Sequence, residues 1–226
     1  MRQKAEKKLQ PKQDWKHYAK KAWQFFWKDE SVWSWIVNIV VAFVVIRYIL
    51  YPLLGFVLGT SYPIVAVVSE SMEHGLHEGV LCGEQYADFK ESFDNYWRAC
   101  GSWYEQQIIT PEQFQDFPFS QGFNKGDVIV LWRANGKNVH VGDILVFQAD
   151  RPQPIIHRVV KRWEENGKVF YQTKGDHNPR SSDGVDELRI SEDRVLGKGL
   201  VRVPFLGWLK ILFVEALKPL GIVIER

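Results

Sequence analysis

The sequence predicts a mainly β, α+β protein carried behind one membrane-spanning helix, and three observations predict it. From Gly126 onward, short β-branched and aromatic runs alternate with Gly, Asn, Asp and Pro. Ahead of them, residues 31–58 contain a single charge, Arg47, in 28 positions. Between the two lies a stretch, 76–125, whose aromatic residues recur at helical spacing. The expected organisation is a basic arm (1–30), an apolar anchor (31–58) and a compact β domain (60–203) with a helical insertion (76–125). An amphipathic C-terminal helix (204–226) completes it.

Taking the elements in order, the arm holds nine Lys and Arg against four acids, so the chain's net +2 divides into +5 on residues 1–30 and −3 on the rest. Trp15, Trp23, Phe25, Phe26 and Trp27 interleave with these lysines, a composition suited to membrane lipid with anionic headgroups or to a solvated charged helix. The basic charge belongs to the arm, which argues against nucleic acid as a partner of the main domain. As a helix, 31–58 would span about 42 Å at 1.5 Å per residue, more than the roughly 30 Å hydrocarbon core. Its apolar residues surround the axis and form no single stripe, and Trp33, Trp35, Tyr48 and Tyr51 stand where interfacial aromatics belong. Pro52 is expected to end or kink the regular helix. The run is too long for the apolar region of a cleaved signal sequence, and Pro52 to Gly59 offers no clear small-x-small site. With the basic arm ahead and no Lys or Arg between Tyr48 and Tyr86, the positive-inside rule puts the N-terminus in the cytoplasm and the main domain outside.

In the insertion, Tyr86, Phe89, Phe93, Tyr96, Trp97 and Cys100 suggest one amphipathic helix. Thr110-Pro111-Glu112-Gln113 reads as a second helix start with a capping box. Cys82 and Cys100 are the chain's two cysteines, and the sequence leaves their pairing open. Strands are predicted at 127–132, 143–147, 155–160, 169–173 and 194–203, in an antiparallel barrel or folded sheet. After it, Lys210, Glu215 and Lys218 fall on one face of an otherwise apolar Phe205–Ile224, which favours a helix lying on a membrane or on the domain over a second span.

The chemistry-bearing stretch is Val67-Val68-Ser69-Glu70-Ser71-Met72-Glu73-His74-Gly75, a valine-rich strand that runs into two serines and stops at a glycine. His157 sits inside an apolar strand, where a histidine needs a polar partner. Asp176 follows Lys174-Gly175, and Asp183 comes seven residues later. Serine, histidine and a carboxylate are the set acyl transfer requires: nucleophile, general base and the group that fixes the imidazole tautomer. His140 and His177 beside the aspartates also raise a metal site, but no ligand-spaced pair shares an element, and no metal or other cofactor is expected.

Four boxes in order behind one anchor carry a resemblance. Ser69-Glu70-Ser71-Met72-Glu73, Gly142-Asp143-Ile144-Leu145-Val146-Phe147, Ile156-His157-Arg158-Val159-Val160 and Thr173-Lys174-Gly175-Asp176-His177-Asn178 together resemble type I signal peptidases. The similarity is to the archaeal and endoplasmic-reticulum branch, which has histidine where the bacterial enzymes have lysine, and it covers about residues 60–75 and 124–207. It implies a signal-peptidase-type β domain and a membrane-bound serine endopeptidase that cuts signal peptides from secretory preproteins after small residues. The membrane it implies is a plasma membrane, with the protein-export channel as a neighbour. Carried over, Ser71 is the nucleophile, His157 the general base, Asp183 the group orienting His157 and Asp176 a supporting residue. Ser69, with the Ser71 N–H, forms the oxyanion hole. His74 departs from the proline usual at that place, and the insertion has no counterpart in the shortest relatives. Two readings from other classes stay open: a non-catalytic β-module of a secretion complex, and a metal-dependent hydrolase built on His157, His177 and the aspartates.

Overall fold

The structure, a computed structural model, describes residues 15–28 and 30–208. They fall into two compact units divided between Leu53 and Leu54.

In the first unit, α1 (Trp15–Lys28) is followed by α2 (Val32–Val45), whose N-cap Ser31 accepts a hydrogen bond from the Ser34 N–H at 3.2 Å. The two polar side chains of this apolar helix are both used on α1: Ser34 Oγ donates to the Phe25 carbonyl at 2.7 Å, and Asn38 Nδ2 donates to the Phe26 carbonyl at 3.1 Å. The helix runs 27 residues, Val32–Leu58, long and apolar enough to cross a membrane. Pro52 does not end it. The bonding widens into a π-helix over Ile46–Leu50 and returns as α3 (Tyr51–Leu58). Proline brings a ring that crowds the preceding turn and no N–H, and the wider turn lies immediately before it.

The second unit carries β1 (Ile64–Ala66), the hairpin β2 (Val80–Leu81) and β3 (Glu84–Gln85), α4 (Phe93–Gln106) and α5 (Pro111–Gln115). The strands β4 (Val128–Trp132), β5 (Ile144–Phe147), β6 (Ile155–Glu165), β7 (Lys168–Lys174), β8 (Ile190–Ser191) and β9 (Val195–Val203) follow. Seven strands make one sheet in the order β1-β4-β9-β5-β6-β7-β8, antiparallel at every join.

Side-chain alternation decides where the core sits. In β5, Ile144 and Val146 enter a cluster with Met72, Phe123, Ile129, Leu131 and Ile156, whereas Leu145 and Phe147 enter one with Ile155, Val159, Tyr171 and Ile190. Both faces of this strand are covered, which is why it reads as an unbroken apolar run. Val160, where the β6–β7 register shifts between Val159 and Lys161, enters a third cluster, which belongs to the insertion.

The insertion has its own physics. Ser92 caps α4 by accepting from the Asn95 N–H at 3.3 Å, so the helix begins at Phe93, later than the aromatic spacing from Tyr86 suggests. Tyr96, Cys100 and Tyr104, spaced four apart, form its buried stripe. The α5 capping box makes both of its bonds, Gln113 N–H to Thr110 Oγ1 and Thr110 N–H to Gln113 Oε1. Cys82 and Cys100 form a disulfide, Cα–Cα 5.5 Å, joining the β2–β3 hairpin to α4. The helix expected over 204–226 lies, past Trp208, outside the described residues.

The Cys82–Cys100 bond closes a loop of 18 residues. Its loss through Cys82→Ser/Cys100→Ser should lower stability by about 3 kcal/mol, read as an earlier urea midpoint for the variant in detergent.

Candidate active site

The loop that carries the serines is pinned at both ends. Beyond β1 the chain stays extended for one more residue, as the Val67 N–H bonds the Asp127 carbonyl (2.8 Å) and the Gly126 N–H bonds the Val67 carbonyl (2.9 Å). Val67 and Met72 are both buried on either side of the serines, and the Phe123 N–H holds the Met72 carbonyl at 3.1 Å. Between them, the Glu73 N–H closes a turn on the Glu70 carbonyl (3.0 Å) and leaves Ser71 at its second position. Lys125 fixes that turn from outside, with Nζ on Glu70 Oε1 (2.6 Å) and its N–H on Glu73 Oε1 (2.9 Å).

Ser71 Oγ lies 3.1 Å from His157 Nε2. His157, 5% exposed, is held on the far side of its ring by Glu187, whose Oε2 lies 2.5 Å from Nδ1. A carboxylate only accepts, so Nδ1 carries the proton and the neutral ring's Nε2 is left to accept from the serine. Glu187 is fully buried, and both its oxygens are occupied: Oε2 also accepts from Thr173 Oγ1 (3.3 Å), and Oε1 from the Ser182 N–H (2.8 Å). Ser69 Oγ, on the exposed side, lies 3.2 Å from Ser71 Oγ. Among the described residues, no acceptor is bonded to the Ser71 N–H.

The sequence assigned the orienting carboxylate to Asp183, and the structure corrects this. Asp183 opens an exposed 3-10 turn (Asp183–Val185) that Ser182 caps. That turn carries the chain round until the Glu187 carbonyl accepts from the Thr173 N–H at 3.0 Å, which aims the Glu187 side chain at His157. Three acids fall within five residues here, and the turn alone decides which one goes inside.

Asp176 does not touch His157 either. Its carboxylate, fully buried, accepts from Arg158 Nε (2.9 Å to Oδ1) and Nη2 (2.7 Å to Oδ2), from Tyr104 Oη (2.9 Å) and from His74 Nε2 (3.0 Å). Burial would raise its pKa, yet the Arg158 guanidinium and the His74 bond hold it well below the usual carboxylate range. Burial also pushes His74 below the usual histidine range, so its Nε2–H donates as a neutral ring. Arg158 places every donor: beyond Asp176, Nη1 reaches the Pro118 (2.8 Å) and Gly142 (3.0 Å) carbonyls, and Nη2 the Phe119 carbonyl (2.8 Å). Sequence reasoning gave no role in the site to Glu187, Arg158, His74 or Tyr104. A fully charged side chain in the middle of an apolar strand was the available signal for Arg158.

A cavity of about 470 Å³ opens beside Ser71 and His157, walled by Val65, Ala66, Val68, Ile155, Ile156 and Val185. Two strand edges border it. β1 ends the sheet, and β7 pairs with β6 only from Arg158 onward, leaving the backbone at Ile155–His157 unpaired on that side. The two histidines weighed as metal ligands stand apart, His140 3.9 Å from Asp143 and His177 3.3 Å from the Glu73 carbonyl. Among the described residues, no three His, Cys, Asp or Glu side chains converge as a ligand set.

Lys174 lies buried behind this site with Nζ on the carbonyls of Gly175 (3.1 Å) and Asp176 (3.2 Å) and on Tyr104 Oη (3.3 Å). Burial lowers its pKa from 10.5 to about 7, against the opposing pull of Asp176 and Glu187. Between those two values the unfolded chain binds the extra proton, so this lysine makes stability rise with pH across that window. Chemical unfolding at pH 7 and at pH 9.5 should show that rise in the wild type and a flatter response in Lys174→Met.

No protein-family model matches the chain. It is 30% identical over 174 residues to the signal peptidase complex catalytic subunit sec11 of Schizosaccharomyces pombe, covering 73% of this chain and 74% of that one. It is 33% identical over 98 residues to the subunit of the same name from Yarrowia lipolytica and 32% identical over 103 residues to that from Candida tropicalis. Each of these shorter matches covers 41% of this chain, and 56% and 58% of the respective relatives.

Proposed function

This chain belongs to the family of signal peptidase complex catalytic subunits, and on that premise we propose that Ser71, His157 and Glu187 are its acyl-transfer machinery, acting on secretory preproteins. Ser71 Oγ attacks the scissile carbonyl while His157 Nε2 takes its proton. His157 returns that proton to the leaving amine, and water then releases the acyl group from Ser71 by the same route in reverse. Glu187 keeps the proton on Nδ1 and stabilises the imidazolium as it forms. The Ser71 N–H and Ser69 Oγ receive the developing oxyanion. The observation that carries this reading is the hydrogen-bonded chain Ser71–His157–Glu187, whose serine and histidine line a groove with apolar walls.

A peptide can enter that groove extended, adding as a strand to the free edges of β1 or β6, with small side chains against Val65, Val68 and Ile156. Chain connectivity supports work at a membrane. Between Leu58 and Ser71 lie about 12 residues, at most ~40 Å of chain. The basic arm ahead of the span supports a cytoplasmic N-terminus and an extracytoplasmic catalytic domain, and a disulfide suits that side. We assign the membrane as a plasma membrane from the resemblance to the archaeal branch, with the export channel delivering the substrate.

The test is cleavage of a model preprotein in detergent. Wild type should cleave, Ser71→Ala and His157→Ala should each lose on the order of 10⁶ in kcat, and Glu187→Gln about 10⁴. Asp183→Ala should stay within about threefold. Ser69→Ala should lose about 10²–10³, the usual loss for one oxyanion donor. Inhibition by a chelator, reversed by added metal, would favour the metal-hydrolase reading instead. An inactive wild type would favour the non-catalytic module.

A further inference from the structure

The insertion meets the catalytic centre from behind through the loop Gly175–Asn178. On one side of that loop stand groups of the insertion. Tyr104 Oη donates to Asp176 Oδ1 at 2.9 Å, Tyr96 Oη to the Asp176 carbonyl at 3.0 Å, and the Cys82 N–H to the His177 carbonyl at 3.0 Å. His74, at the exit of the nucleophile loop, stacks flat on Tyr96 with centroids 3.6 Å apart and donates to Asp176 Oδ2 at 3.0 Å. On the other side stand the reacting groups. The His177 N–H holds the Ser71 carbonyl at 2.9 Å, and the Asp176 N–H meets Met72 Sδ at 3.4 Å. Gly175 is wedged between the two reacting residues, since a Cβ there would lie 2.8 Å from His157 Nε2 and 2.8 Å from the Ser71 carbonyl oxygen.

We propose that the helical insertion is a positioning module for the catalytic pair, in which Tyr104 and His74 fix the Asp176 carboxylate and the loop so fixed sets the approach of Ser71 to His157. The inference rests on the acyl-transfer reading above. Neither residue lines the groove beside Ser71. Each acts through a loop packed against the reacting atoms with no room to spare, so a small displacement there alters the attack geometry. Arg158 alone would still neutralise Asp176, but it binds the carboxylate edge from the β6 side only. Tyr104 and His74 supply the bonds that tie it to α4 and to the nucleophile loop.

The experiment measures kcat and KM of full-length wild type, Tyr104→Phe, His74→Leu, His74→Gln and the double variant Tyr104→Phe/His74→Leu on one model preprotein, at a temperature well below each melting point. Tyr104→Phe and His74→Leu should each lower kcat by about 10- to 100-fold, as misplacement remote from the chemistry does, with KM within about twofold. His74→Gln, which keeps an N–H donor for Asp176, should recover most of the rate. The double variant should lose less than the product of the two single losses, because both act on one carboxylate. Wild-type kcat in both Tyr104→Phe and His74→Leu would overturn the proposal, as would losses that only track the folded fraction in parallel melting curves. An inactive wild type would overturn the acyl-transfer reading, and this inference with it.

Discussion

The buried pair of Asp176 and Arg158 is the constraint on which the rest of the domain depends. Two charges withdrawn from water are tolerable only when their lone pairs and protons are all met. Here the guanidinium spends its remaining donors on the carbonyls of Pro118, Phe119 and Gly142, while the carboxylate takes Tyr104 and His74. Those partners come from the Ser69–Gly75 loop, the insertion and the approaches to β4 and β5. A single electrostatic requirement thereby gathers segments that are far apart in sequence. Removing either charge would leave the other uncompensated in the interior, a loss of about 3–5 kcal/mol for such pairs. The Phe114 ring, 4.7 Å below the guanidinium, ties the insertion's aromatic cluster to the same point.

The parts of this design that follow a period could be read in the sequence, and the parts that depend on a turn could not. Alternation and turn residues located the five long strands, although β6 and β7 extend further than expected because their outer ends pair as an exposed ribbon whose polar residues hid it. Thr110 and Gln113 announced their helix because a capping box is local chemistry. Ser71 and His157 were picked out because a hydroxyl at a strand exit and an imidazole in an apolar strand both ask for a partner, and the fold sets them 3.1 Å apart. Glu187 was invisible for the opposite reason. Nothing periodic governs 176–189, and choosing among Asp183, Asp186 and Glu187 needs the conformation of Ser182–Asp186. Pro52 announced an irregularity, but whether it ends a helix or only widens the preceding turn is not written in the proline itself.

The site also shows why polar groups of similar chemistry end in different roles. Glu187 and Asp176 are both fully buried carboxylates within a dozen residues of each other. Asp176 faces a permanent cation and is locked as its counter-ion, whereas Glu187 faces an imidazole, and its remaining bonds come from neutral donors. In the proposed reaction, the second arrangement leaves the carboxylate free to answer the imidazolium that forms on its partner. The first has no such freedom, and it suits a residue that must not move.

His157 and Arg158 are neighbours on β6, and strand alternation sends them to opposite faces, one toward Ser71 and the other toward Asp176. A slip of one residue in the β5–β6 register would reverse them. It would turn a guanidinium toward the serine and an imidazole toward the buried carboxylate, and it would invert the apolar faces of the strand as well. A chain slipped in this register would lose its core packing and its Ser71–His157 contact together.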